Sequence, residues 1–101
     1  MSQKSKDITE IVDRLRVALP RLRRDYSVRT MGLFGSYVRG EQHRGSDLDV
    51  LVEFDEVPGL LRFMDLEREL TKIAGVQVDL VQRDAMKPAI GRRILEEVRP
   101  L

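Results

Sequence analysis

A chain of 101 residues with 18 Lys+Arg against 17 Asp+Glu has room for one core and no separate substrate domain. The formal net charge of +1 lacks the basic excess of a general nucleic-acid binder, so direct nucleic-acid binding is not expected. The absence of cysteine excludes a disulfide framework and a thiolate metal site.

Met1 to Lys6 is polar and lacks the apolar core of a signal peptide, and no apolar run is long enough to span a bilayer. The expectation is a single cytoplasmic domain over residues 1–101, with 1–6 flexible and no membrane contact.

Ile8, Ile11, Val12, Leu15, Leu19 and Leu22 recur at helical spacing and predict an amphipathic helix from about Asp7 to Arg23. Asp7 and Glu10 have the spacing of a capping pair, and Pro20 is expected to end or bend the helix. Val28 to Phe34 reads as a strand stopped at Gly35. Ser36 to Gly40 reads as one helical turn, followed by a polar loop in which His43 is expected to be exposed.

Asp47 to Phe54 alternates, with Leu48, Val50, Val52 and Phe54 on one face and Asp47, Asp49, Leu51 and Glu53 on the other. Pro58-Gly59 breaks the chain before a second amphipathic helix carrying Leu60, Met64, Leu70 and Ile73 and ending near Gly75. The charged stretch from Asp65 to Lys72 is expected on its outer face. Val76 to Val81 predicts a third strand, with Asp79 opposite to Val76, Val78 and Leu80. A last helix is expected from about Asp84, with Pro88 in its first turn and Ile90, Ile94, Leu95 and Val98 as its apolar positions. The predicted order is α-β-α-β-α-β-α.

Carboxylates in Val/Leu-rich strands are costly, so Asp47, Asp49 and Asp79 need an explanation. Residues two apart on a strand lie roughly 6–7 Å apart on one face. Two unit charges at that distance repel by roughly 2–3 kcal/mol at an effective dielectric near 20, which is large against the roughly 5–15 kcal/mol that stabilises a domain. Protonation, full solvation or a divalent cation would relieve it. Carboxylate oxygens suit Mg²⁺ or Mn²⁺, often held by one or two carboxylates plus substrate phosphate.

Gly35-Ser36 supplies the complementary part: glycine lets backbone approach a phosphate closely, and the Ser36 hydroxyl adds a donor. Phosphates anchored there, with two metal ions at the carboxylates, suit in-line attack at one phosphorus. No Gly-x-x-x-x-Gly-Lys-Ser/Thr loop is present, which weakens a kinase or ATPase reading. Gly-Ser followed at this fixed spacing by Asp-x-Asp arises by chance in roughly one such chain per thousand. Arg39 either contacts phosphate or pairs with Glu41 or another acid. Glu53 is expected at the surface or behind the site.

With Gly35-Ser36-Tyr37-Val38-Arg39-Gly40, Ser46-Asp47-Leu48-Asp49-Val50 and Val78-Asp79-Leu80-Val81 in order, the chain resembles the minimal nucleotidyltransferases of the DNA polymerase β-like superfamily. The resemblance implies an α/β (α+β) two-layer nucleotidyltransferase fold, a mixed β-sheet with helices packed mainly on one face. It implies transfer of AMP from ATP, with pyrophosphate released.

By position, Gly35, Ser36 and Arg39 would bind the nucleotide. Asp47 and Asp49 would hold two Mg²⁺ ions (or Mn²⁺), and Asp79 would complete the site of the ion that activates the acceptor. Many small members of this family resemble antitoxins paired with a HEPN-domain toxin, which makes such a toxin the expected partner and a protein hydroxyl the expected acceptor. Two alternatives stand beside this one: neutralisation of a toxin by binding alone, and nucleotidyl transfer to a small molecule or an RNA end.

Overall fold

A computed structural model describes residues 8–101. Helix α1 spans Ile8–Tyr26, strand β1 Val28–Phe34, the one-turn helix α2 Ser36–Arg39, and strand β2 Leu48–Phe54. Helix α3 spans Leu60–Ala74 and strand β3 Val78–Gln82; a 3₁₀ turn over Arg83–Ala85 leads to helix α4, Pro88–Glu97, and the two-residue strand β4, Arg99–Pro100. The sheet order is β3-β2-β1-β4, with β2 parallel to β3 and the other two pairs antiparallel.

The period-2 pattern of β2 decides which face is buried. Leu48, Val50, Val52 and Phe54 point into the main core, joined by Val28, Met31 and Leu33 of β1 and Val78 and Leu80 of β3. Ile11, Leu15, Leu19 and Leu22 of α1 and Leu66, Leu70 and Ala74 of α3 close over them. Burial at roughly 25 cal/mol per Å² of apolar surface makes this helix-on-sheet layer the main stabilising term. Helix α4 lies by the other face, where its Leu95, together with Val98, Leu51 and Gly32, lines a cavity of about 100 Å³.

Strand β4 is absent from the predicted order, which gains a fourth strand after the last helix. Pro20 does not end α1, which continues to Tyr26. Its side chain is exposed, and so is Arg16, whose carbonyl the proline leaves without its helical partner; Leu19 and Leu22 stay buried on either side. Strand β2 begins at Leu48, which puts Asp47 just before the strand, and β3 begins two residues later than expected, at Val78. Pro88 opens α4 itself, so Asp84 belongs to the preceding 3₁₀ turn. The capping role given to Asp7 and the flexibility expected of 1–6 lie outside the described residues.

The charged stretch of α3 is not wholly an outer face. Glu67 accepts the Leu80 amide at 2.9 Å and Thr71 accepts the Val78 amide at 3.1 Å. These contacts fix the edge strand on both sides of Asp79. Among the described residues no helix is long and apolar enough to cross a membrane.

Candidate active site

The register of the sheet brings the separated motifs together. Phe34 pairs with Asp49 across β1 and β2, so Gly35, the next residue, lies beside the Asp49 carboxylate. Asp49 in turn pairs with Asp79 across the parallel β2 and β3. Asp47 precedes the strand on the same side. Asp47 and Asp79 are exposed and Asp49 is half-buried.

The electrostatics follow from that placement. Burial, then the charges of Asp79 and Asp47, push the Asp49 carboxyl up to about 6, while Arg39 pulls the other way. Burial and the Asp47 charge also raise the Tyr37 phenol. Asp49 thus bears a burial cost first and the repulsion of its two neighbours second.

Gly35 has φ 86° and ψ −159°, a conformation almost confined to glycine. Its carbonyl accepts the amides of Val38 and Arg39 at 3.1 and 3.2 Å and so caps α2. The Ser36 hydroxyl is not the cap, and among the described residues it makes no hydrogen bond within the chain. It remains free to donate to a ligand.

A residue with no role assigned from the sequence completes the turn. Glu97, the last residue of α4, accepts the Gly35 amide at 2.6 Å through Oε2 and the Arg39 Nη1 at 2.8 Å through Oε1. The Gly35 hydrogen bond first, and then Arg39, hold its carboxyl below the usual range. Arg39 also donates through Nε to Glu41 at 2.9 Å, so the expected pairing with Glu41 is present. Sixty-two residues separate Gly35 from Glu97, and no local pattern distinguishes Glu97 from the neighbouring Glu96.

A cavity of about 290 Å³ is lined by Phe34, Gly35, Arg39, Asp49, Ile90, Arg93, Ile94 and Glu97. It unites Gly35, Arg39 and Asp49, while Asp47, Asp79 and Ser36 are not among its lining. A larger cleft of about 530 Å³ runs along the other side of α4 from Arg83 to Glu96 and contains none of the three aspartates. Glu53 accepts Thr30 Oγ1 and Arg83 Nη1 on the sheet, and exposed His43 contacts its neighbour's carbonyl, so neither enters the site.

Among the described residues no three His, Cys, Asp or Glu side chains converge into a preformed metal cage. What the sheet offers is an oxygen-only pair in register, Asp49 and Asp79, with Asp47 beside it. That donor set fits Mg²⁺ or Mn²⁺, which keep waters and take substrate phosphate oxygens in place of further protein ligands.

A mixed sheet backed by two helices, with a Gly-Ser turn and aspartates on adjacent strands, defines a nucleotidyl-transferring class of protein. The chain belongs to the nucleotidyltransferase domain family, whose model matches residues 15–101. The protein adenylyltransferase MntA of Thermococcus cleftensis is 48% identical over 77 residues, covering 76% of this chain and 78% of its own. A solved structure provisionally named a minimal nucleotidyltransferase superposes with a TM-score of 0.83 at 32% identity, covering 98% of this chain and 100% of its own. A chain in the complex of tri-AMPylated Shewanella oneidensis HEPN toxin with MNT antitoxin shares the fold, with a TM-score of 0.59 at 19% identity over 93% of this chain and 67% of its own.

Proposed function

We propose that this nucleotidyltransferase transfers AMP from ATP to a hydroxyl of a partner protein, and that it does so as the antitoxin of a HEPN-type toxin. The observation that carries the reading is the register of Asp49 on Asp79 beside the Gly35-Ser36 turn, in a chain 48% identical over 77 residues to a protein adenylyltransferase. The acceptor oxygen attacks the α-phosphorus, the bond from that phosphorus to the bridging oxygen breaks, and pyrophosphate leaves.

Each residue has a part in this. Ser36 donates its free hydroxyl to the triphosphate, with Gly35 allowing the close approach and Arg39 adding a cation. Asp47 and Asp49 would hold the divalent ions, two by this reading, with Asp79 beside them on the acceptor side. When bound, the ions neutralise charge at the triphosphate and favour ionisation of the acceptor hydroxyl. Asp79, the carboxylate on the acceptor side, would take up the proton of the hydroxyl.

The test is transfer of label from α-labelled ATP to a co-purified toxin in Mg²⁺, read by intact mass. A well-folded pair that gains no AMP adduct would sink the proposal.

Neutralisation by occlusion is the competing reading. It draws on the exposed apolar residues Val57, just before α3, and Leu60, Leu61 and Met64 in its first turns. Asp47→Asn with Asp49→Asn separates the two: neutralisation that survives the double change is binding, and neutralisation that disappears with the adduct is catalysis.

A further inference from the structure

Gly35 sits at φ 86° and ψ −159°, one of several conformations open to a glycine, so its contacts decide which one it holds. Three contacts do so. The amides of Val38 and Arg39 grip its carbonyl, Asp49 fills the space a side chain would take, and Glu97 receives its N–H. The first two come from the neighbouring turn and from β2, whereas Glu97 arrives from the far end of the chain.

The placement of Glu97 is itself rigidly set. The Val98 amide closes the last turn of α4 on Ile94 at 2.9 Å, and the Leu101 amide donates to the Met31 carbonyl at 2.9 Å. Between them Arg99 pairs with Leu33 and Pro100 with Gly32. The chain on the C-terminal side of Glu97 is therefore locked to β1, the strand that runs into Gly35.

We infer that Glu97 is a positioning residue for the nucleoside triphosphate: its bridge from the Gly35 amide to Arg39 sets the orientation in which the turn offers Ser36 and Arg39 to phosphate. The inference rests on the nucleotidyltransferase reading of this site. Oε2 fixes the peptide plane that leads into the turn. Oε1, with Glu41 on the other side, fixes the guanidinium while leaving Arg39 Nη2 without a partner among the described residues. One carboxylate thus orients two groups that would meet the same ligand.

The experiment compares Glu97→Ala and Glu97→Gln in the full chain by calorimetric titration with ATP in Mg²⁺, and by amide exchange of the free protein. The carboxamide has one acceptor oxygen and can serve only one of the two donors, so Glu97→Gln is expected to bind ATP about threefold more weakly than the parent, and Glu97→Ala about tenfold more weakly or worse. Amide exchange at Val38 and Arg39, which bond to the Gly35 carbonyl, is expected to quicken about tenfold in Glu97→Ala while Leu33 and Val50 stay unchanged.

Uniformly faster exchange across the sheet would mean a merely structural role and overturns the inference. Equal or tighter ATP binding by Glu97→Ala overturns it too, since Glu97 would then compete with phosphate for the turn. A parent chain that fails to bind ATP would defeat the nucleotide reading itself, and the exchange at Val38 and Arg39 would still decide whether Glu97 holds the turn.

Discussion

A Cβ built on Gly35 would lie 2.0 Å from Oδ2 of Asp49, so the glycine of the Gly-Ser turn and the central aspartate occupy one continuous space. Gly35→Ala therefore has to displace the carboxylate as well as hold an unfavourable φ. The site should come apart before the fold does. We expect AMP transfer to fall by about 100-fold or more and stability by about 1–2 kcal/mol, measured as label transfer and as the thermal midpoint.

Asp49→Asn should stabilise the metal-free protein at pH 8. The folded-state pKa of Asp49 is raised from 3.8 to about 6, so the folded chain binds that proton more tightly than the unfolded one. Stability from this group is fully present below about 3.8, falls as pH rises toward 6, and is lost above it. Because the side chain is only half-buried, solvent screening reduces the effect to about 1 kcal/mol. The gain in midpoint should be visible at pH 8 and absent near pH 4. A gain that does not depend on pH would contradict the electrostatic origin.

Ser36→Ala should separate binding from stability. The hydroxyl neither caps α2 nor bonds elsewhere among the described residues, so the folding free energy should change by less than about 0.5 kcal/mol. The KM for ATP should rise about tenfold for the loss of one hydrogen bond to a charged group. A marked drop in stability would show that the hydroxyl is used internally.

Gly32→Ala probes the closure of the sheet by β4. Its Cβ would meet Val98 Cγ2 at 2.7 Å and the Arg99 carbonyl at 3.1 Å. Overpacking of this kind costs about 1–3 kcal/mol. It should also weaken ATP binding, since the same segment carries Glu97. Urea unfolding and ATP titration of the one variant check both effects.

Magnesium should raise the thermal midpoint of the parent by relieving repulsion among Asp47, Asp49 and Asp79. At ten times its dissociation constant the gain is about 1.4 kcal/mol. Excess EDTA should remove it, and Asp49→Asn should not show it. An equal shift in that variant would place the cation elsewhere.

The middle of the molecule is legible in the sequence because period and composition agree there. In strand β2, Leu48, Val50, Val52 and Phe54 meet the side chains of α1 and α3 in one core, while Asp49 and Glu53 fall on the other face together with Leu51, which is buried there on the α4 side. Strand β4 is not legible: two residues, one of them Pro100, carry no alternation, and only pairing with Gly32 and Leu33 makes them a strand. Pro20 misleads because its local propensity is overruled by Leu19 and Leu22, which bury the helix on either side of it. Glu97 is silent for a related reason. Its partners lie 62 and 58 residues away, beyond any helical spacing.

Glu67 and Thr71 also bear on how another protein can meet this one. By accepting the Leu80 and Val78 amides, they occupy backbone donors that the outermost strand would otherwise show to a visitor. An incoming chain thus finds those rungs already taken when it comes to add a strand of its own. Along these two rungs the border offers side chains in place of free backbone donors.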